Sequence, residues 1–507
     1  MNLATAFAAS AAKNAGKTAI FWGDAQFTYQ TLFAQAQAVG AQLRHEYAVQ
    51  PGDRVGLWLK NCPEFVPALF GALQAGAAVV PINNFLKPDE VNYILADAGI
   101  EVLLTERSMA EALPKLTAAR PSLRVWEVEE LGRPGLEAAG RRPEAGFPER
   151  TESDLAVIIY TSGTTGHPKG AMLSHGNLLH NVQSCRQVLA AVAHDRFAVV
   201  LPMFHSFMLT VCVLLPLLVG GSLVLVRSLH PPKNILHEIF QHGATILAAV
   251  PALFRMLANA GVSKDQPLRI CISGGAALPV EILREFNAKM PVPLIEGYGL
   301  SEASPVVSMN PLAGPWKEGS IGVPIPGVEV SVQDDQGRLL PPRQTGEVCV
   351  RGGNVMMGYW KQPEETARVL RNGWLLTGDV GHQDVDGYFH ITDRKKDMLI
   401  VNGNNVYPRE IEEIIYQFPG VKEAAVVGIP DPRKGEHAVA FVAPQEGSVL
   451  EEKAVLQFVR RKLADYKVPR EVRFMAALPR NATGKILKTT LRRQVVESSV
   501  DVHITRG

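Results

Sequence analysis

Residues 160–170 read Tyr-Thr-Ser-Gly-Thr-Thr-Gly-His-Pro-Lys-Gly. Hydroxyls from Thr161, Ser162, Thr164 and Thr165 are interleaved with Gly163 and Gly166, and Lys169 follows. Glycines let backbone N–H groups approach a ligand without a β-carbon in the way. Hydroxyls add donors and a lysine adds a mobile cation. That combination suits phosphate oxygens. A plain Gly/Ser/Thr linker would not place a proline and a lysine after the glycines. The stretch is also not a kinase-type P-loop, because Pro168 stands before the lysine where that pattern needs glycine.

An apolar run at 155–160 precedes the loop and reads as a strand. A strand feeding a Gly-rich loop is the usual address of a nucleotide site in an α/β fold. Further apolar runs at 55–59, 78–82, 102–105 and 198–201 read as strands, with helical stretches such as 64–74 between them. The alternation predicts an α/β protein with parallel sheets covered by helices. Residues 321–360 are richer in Gly, Pro and short β-like runs and suggest a small β subdomain. Charges cluster at 393–397, between a strand at 388–392 and the apolar 398–401. We place a boundary there, dividing the chain into 1–394 and 395–507. Beyond it, Pro408 starts a helix whose face carries Ile411, Ile414, Ile415 and Phe418, and Gly420 ends it. Strands at 424–429 and 438–443 follow. Ser448 and Glu451 form a capping-box pattern before a helix with Val455, Phe458, Val459 and Leu463. This second unit reads as a small α+β domain.

The 160–170 loop resembles that of the adenylate-forming superfamily, which includes acyl-CoA synthetases, aryl-CoA ligases, luciferases and peptide-synthetase adenylation domains. Further motifs follow in the family's order. They are Pro202-Met203-Phe204-His205, the Gly297-Tyr298-Gly299-Leu300-Ser301-Glu302 segment, and Gly346-Glu347 with Arg351-Gly352 and Gly358-Tyr359. Then come the Thr-Gly-Asp ending at Asp379, the run from Asp393 to Asp397, and a Thr-Gly-Lys ending at Lys485. The likeness spans about residues 20–490, almost the whole chain.

The resemblance implies an enzyme that joins a carboxylic acid to AMP, using ATP and Mg²⁺, and then passes the acyl group to a thiol. Its roles transfer as follows. Glu302 would hold Mg²⁺ with a loop hydroxyl, Thr161, assisting. Tyr298 would stack on adenine, while Asp379 and Arg394 would reach the ribose. Residues 161–166 and Lys169 would cradle phosphates, and Gly297, Gly299, Ser301 and Ala276 would line the nucleotide site. Ser301 departs from the family's usual threonine but keeps the hydroxyl. Lys485 would be the adenylation lysine, and His205 would contact the substrate carboxylate. Lys396 would be the hinge of a mobile C-terminal lid, and Gly403 would serve the thiol tunnel after rotation.

Amino-acid activation needs a carboxylate to meet the substrate ammonium; in the family's peptide-synthetase domains it lies near the aromatic–histidine segment, and 204–209 contains none. Val250, Leu253, Phe254 and the Ser273–Leu278 stretch resemble the family's acyl-pocket segments and are apolar or small, so a buried ammonium would be uncompensated. An apolar tail gains about 0.8 kcal/mol per buried CH₂. The wording around 297–307 and 393–410 looks most like bacterial medium- and long-chain fatty acyl-CoA ligases. That implies a fatty acid and CoA as substrates. An aryl-CoA ligase, an acyl-AMP ligase loading a separate carrier, and a nucleotide-binding module with dead chemistry are the rival readings. Retention of Lys169, Glu302 and Lys485 together argues against the last.

The chain has 507 residues with 51 Lys+Arg against 50 Asp+Glu, so no net field points to nucleic acid. Its hydrophobic share of 47% suits a large buried interior. Cys62, Cys185, Cys212, Cys271 and Cys349 form no C-x-x-C pair, and their odd number fits a reducing cytoplasm. The first residues lack a signal-peptide pattern. Residues 207–226 are apolar enough to resemble a membrane span, but Pro216 and Gly220-Gly221 interrupt them. A buried helix ending at Gly220 and a strand at 222–226 fit better. Loose membrane association and a homodimer both stay compatible with the sequence.

Overall fold

A computed structural model describes residues 1–132, 147–161, 168–228, 233–260, 266–431, 435–481 and 484–504. Among the described residues, the first sheet has nine strands. Its order is Val323–Pro324, Val306–Met309, Leu294–Gly299, Ile270–Ser273, Ile246–Ala249, Arg196–Val199, Ser222–Leu225, Thr18–Trp22 and Ala25–Thr28. From Leu294–Gly299 to Thr18–Trp22 the strands run parallel, and the edge strands are antiparallel. The second sheet has seven strands, again with a parallel centre. Its order is Gly358–Tyr359, Lys169–Ser174, Leu155–Thr161, Ala78–Pro81, Arg54–Trp58, Val102–Thr105 and Arg124–Glu127. Central strands such as Ala78–Pro81 are short apolar runs buried along their whole length, as expected where both faces of a sheet are covered.

The main core gathers side chains from both sheets and from helices such as Phe65–Gln74, in which every residue is buried. Phe7 of the N-terminal helix stacks on Phe70 with ring centroids 4.0 Å apart. Such fully buried large side chains contribute about 1.5–3 kcal/mol each. The apolar 207–226 stretch is interior, as expected. Met208–Leu214 is wound as a wide π-helix, Leu215–Val219 continues as α-helix, and Gly220 closes it at φ +85°. Strand Ser222–Leu225 follows. No helix among the described residues is long and apolar enough to cross a membrane.

The β subdomain is larger than its composition suggested. Strands Val328–Gln333, Gly346–Gly352, Trp374–Gln383 and Leu370–Arg371 form an antiparallel sheet, with Phe389–Arg394 paired to Trp374–Gln383. It therefore extends past 360 to Arg394. Gly358–Tyr359, by contrast, leaves it to pair with Lys169–Ser174 in the second large sheet. The strand expected at 198–201 begins earlier, at Arg196, where it registers with Ser222–Leu225.

The C-terminal part is built on Leu399–Val401, Asn404–Val406, Val421–Asp431, Gly435–Pro444 and Glu471–Phe474. Helix Pro408–Tyr416 stops before Gly420, which occupies the following turn at φ +85°. Helix Glu452–Arg460 lacks the expected capping box. Glu451 itself is the N-cap and makes no side-chain cap bond.

Candidate active site

The strand Leu294–Gly299 delivers the Gly-Tyr-Gly segment to the C-terminal edge of the first sheet, where ligands bind in open parallel sheets. Glycine is required at 299, because a β-carbon there would lie 2.2 Å from the Pro305 carbonyl oxygen. Tyr298 points its hydroxyl at Asp379 and donates to Oδ2 at 2.5 Å. Burial, then the Asp379 charge, holds the Tyr298 phenol well above its usual range, so it stays a donor. Asp379 and Arg394 are register partners on adjacent antiparallel strands, and Arg394 Nε lies 3.1 Å from Asp379 Oδ1. The strand residues before Asp379 are tied down. Thr377 donates to the Val348 carbonyl at 2.6 Å, and the Gly378 N–H donates to Glu347 Oε1 at 3.0 Å. Asp379 is only 4% exposed, yet both its oxygens are occupied. Tyr298, Asp379 and Arg394 thus form one preorganised cluster.

Glu302 follows on the short turn Ser301–Ala303. Tyr359 donates its hydroxyl to Glu302 Oε1 at 2.8 Å. Tyr359 also belongs to the strand pairing with the Lys169–Ser174 hairpin arm, and the Lys169 ammonium lies 5.4 Å from its ring centroid. Lys169 is paired with Glu365. Thr161 and Lys169 are cross-strand partners at the mouth of the loop. Ser162, Gly163, Thr164, Thr165 and Gly166 lie outside the described residues. Tyr359 and Glu365 were not singled out as site residues from the sequence. Their signal was the Gly-Tyr pair at 358–359, whose contact with Glu302 no spacing rule reveals.

Lys485 reaches this cluster from the C-terminal part. It sits on a tight turn in which its own N–H donates to Asn481 Oδ1 at 2.9 Å and Asn481 donates back to the Lys485 carbonyl at 2.9 Å. Arg480 braces the turn, donating to the Gly484 carbonyl and pairing with Glu423 at 2.7 Å. Ala482 and Thr483 lie outside the described residues. Lys485 is exposed, but protein crowds around its side chain. That crowding, then the Arg394 charge, brings its ammonium down to about 8, with Asp379 opposing. His205 is nearby. Burial, then the Lys485 charge, pushes its imidazole down to about 4, so it is neutral. The Phe207 N–H donates to His205 Nδ1 at 3.3 Å, which leaves the proton on Nε2. Ser206 and Ser301 share a hydroxyl–hydroxyl bond of 3.0 Å, joining the aromatic–histidine segment to the Glu302 turn.

Gly484 packs on Val250, and a β-carbon on it would stand 3.2 Å from a Val250 methyl. Gly275, beside Ala276, faces the same Val250. The Phe207 ring packs on Gly274, where a β-carbon would stand 3.0 Å from Cζ. Val250, Phe207 and the Gly274-Gly275-Ala276 backbone therefore make an apolar wall next to Lys485 and His205. Lys396 is exposed but close enough to depress Lys485. Gly403 stands apart from the cluster. It occupies an exposed hairpin tip at φ +79° with open space around it.

Among the described residues, no three His, Cys, Asp or Glu side chains converge as a protein-only metal cage. Glu302 and the Thr161 hydroxyl are hard oxygen donors of the kind Mg²⁺ takes, and they would leave the rest of its shell to phosphates and water.

The AMP-binding enzyme family pattern matches residues 7–360, and its C-terminal domain pattern matches 410–485. The chain belongs to this adenylate-forming family. It is 39% identical over 484 residues to a feruloyl-CoA synthase from Amycolatopsis sp, covering 94% of this chain and 96% of that one. It is 35% identical over 531 residues to a long-chain-fatty-acid–CoA ligase from Bacillus subtilis, covering 97% and 94%. ATP-bound MatB from Rhodopseudomonas palustris superposes with a TM-score of 0.90 at 34% identity, covering 97% of this chain and 99% of that one. The apo form of the same protein gives 0.77.

Proposed function

We propose that this protein is an AMP-forming acid–CoA ligase acting on a fatty acid. A carboxylate oxygen attacks the α-phosphorus of ATP. An oxygen–phosphorus bond forms, the bond to pyrophosphate breaks, and acyl-AMP results. The CoA thiol then attacks the acyl carbon, loses its proton, and releases AMP. The observation that carries this reading is the convergence of Lys485, His205, Asp379, Arg394 and Tyr298 beside an apolar wall. Acid–CoA ligase relatives of high coverage support it.

In this reading the Tyr298–Asp379–Arg394 cluster fixes the nucleoside. The Lys485 ammonium stands between the two reacting anions and offsets their repulsion as oxygen approaches phosphorus. Neutral His205 offers its Nε2 proton to the substrate carboxylate and orients it. Glu302 and Thr161 would hold Mg²⁺, which would neutralise charge on the phosphates. The lid spans 395–507, and rotation at Lys396 withdraws Lys485 and brings the Gly403 hairpin to the thiol. The better superposition on ATP-bound than on apo MatB supports taking the present lid orientation as the adenylating one.

For the acid, the absence of any carboxylate in 204–209 and the Val250–Phe207–Gly274 wall favour an uncharged tail. A second reading, a cinnamate-type aryl acid, draws on the feruloyl-CoA synthase relatives. An AMP-release screen with CoA over fatty acids of rising length and over aryl acids decides between them. Turnover that grows with chain length supports the fatty-acid reading, and turnover confined to aryl acids overturns it.

A further inference from the structure

Helix Pro251–Asn259 starts directly behind Val250, the residue that receives Gly484. Five residues after Val250, Arg255 reaches out of this helix to the C-terminal part. Its Nη1 donates to the Lys422 carbonyl and its Nη2 to the Val421 carbonyl at 3.2 Å. The third edge of the guanidinium is held by its own domain, with Nε 3.2 Å from Glu285 Oε2. Glu285 is steadied in turn by Lys289 and Asn259. Arg255 is therefore a rigid fork anchored on one body and closed on the backbone of the other. Such charge-assisted bonds are stronger than neutral ones and demand a fixed geometry.

The gripped residues open the strand Val421–Asp431. The next residue, Glu423, is the partner of Arg480, and Arg480 holds the Gly484 carbonyl. A chain of contacts thus runs from Arg255 through 421–423 and Arg480 to the turn that aims Lys485. Because these carbonyls belong to the lid, a rotated lid cannot keep them on Arg255.

We propose that Arg255 is a positioning residue for adenylation. It fixes the lid orientation in which Lys485 stands in the cleft, and it must release Val421 and Lys422 before thiol transfer. The inference rests on the adenylating role of Lys485 given above. The test compares wild type, Arg255→Ala and Arg255→Lys in two assays: ATP–pyrophosphate exchange with a turned-over acid, and CoA-dependent thiolysis of supplied acyl-AMP. Arg255→Ala should lower exchange by about tenfold or more, the scale of losing two charge-assisted bonds, while thiolysis stays within about twofold of wild type or rises. Arg255→Lys keeps the charge but cannot span both carbonyls, so it should fall between. Unchanged exchange in Arg255→Ala, or equal loss of both half-reactions in both variants, overturns the proposal. Full exchange in Lys485→Ala would instead overturn the underlying assignment of Lys485.

Discussion

The Tyr359 hydroxyl donates to Glu302 Oε1 across 2.8 Å, and this bond joins the strand beside the Gly-rich loop to the turn that follows the Gly-Tyr-Gly segment. One phenol thereby sets the aim of the proposed magnesium carboxylate relative to the phosphate loop. Tyr359→Phe keeps the ring under Lys169 and removes only that bond. We predict that half-saturating Mg²⁺ for adenylation rises about fivefold, from a loss of roughly 1 kcal/mol in carboxylate positioning. An unchanged Mg²⁺ dependence, measured by pyrophosphate release, would count against the assignment of Glu302.

In the proposed adenylation role Lys485 must be an ammonium to bridge two anions, and its cation is lost as pH rises through about 8. His205 stays neutral well above 4 and adds no limb in that range. The kcat/KM for ATP, which reports the free enzyme, should therefore fall above about pH 8 with a single ionisation. Lys485→Arg should be slower but lose that descending limb, since guanidinium stays charged. A pH profile identical in both proteins contradicts this.

Glu296 is buried at the base of the site, where it accepts the Leu278 N–H at 3.0 Å. Burial pushes its carboxyl up to about 7 from an ordinary 4.5, with Arg409 opposing. Between those values the folded protein binds more protons than the unfolded chain, so stability falls as pH rises across that window. The loss amounts to about 3 kcal/mol at most. Thermal unfolding of Glu296→Gln at pH 5 and pH 8 should show a smaller pH effect than wild type. An equal effect in both excludes Glu296 as its source.

Much of this candidate site was legible in the sequence because its residues lie in ordered motifs that resemble a family's. Tyr298 and Asp379 stand beside glycines in their strands, Glu302 on the turn after Gly299, Arg394 at a strand end and Lys485 next to Gly484, and the fold brings them together. Tyr359, Arg480 and Arg255 were not legible, because their partners lie 57, 57 and 167 residues away or at an unmarked backbone carbonyl. The parallel-sheet architecture followed from apolar runs and intervening helices. The reach of the β subdomain did not, since pairing of Trp374–Gln383 with both Gly346–Gly352 and Phe389–Arg394 is a long-range choice. The missing capping box at Ser448 has a similar cause. The chain enters that helix with Glu451 extended, so the serine is too far upstream to cap it.

Lys396 is exposed at the junction after Arg394, in a turn closed by the Asp397 N–H on the Arg394 carbonyl at 2.9 Å. Lys396→Pro locks φ near −65° and should restrict rotation more than local stability. Adenylation should stay within about threefold of wild type, while thiolysis of supplied acyl-AMP falls by about tenfold or more. Equal loss in both assays argues against a hinge at this position.

The most direct measurement is ATP–pyrophosphate exchange by wild type and Lys485→Ala, over a panel of fatty and aryl acids with Mg²⁺. Wild type should exchange with at least one acid, and Lys485→Ala should be slower by at least about tenfold while still transferring supplied acyl-AMP to CoA. Exchange at the wild-type rate in the variant, or none by wild type with any acid, contradicts the account.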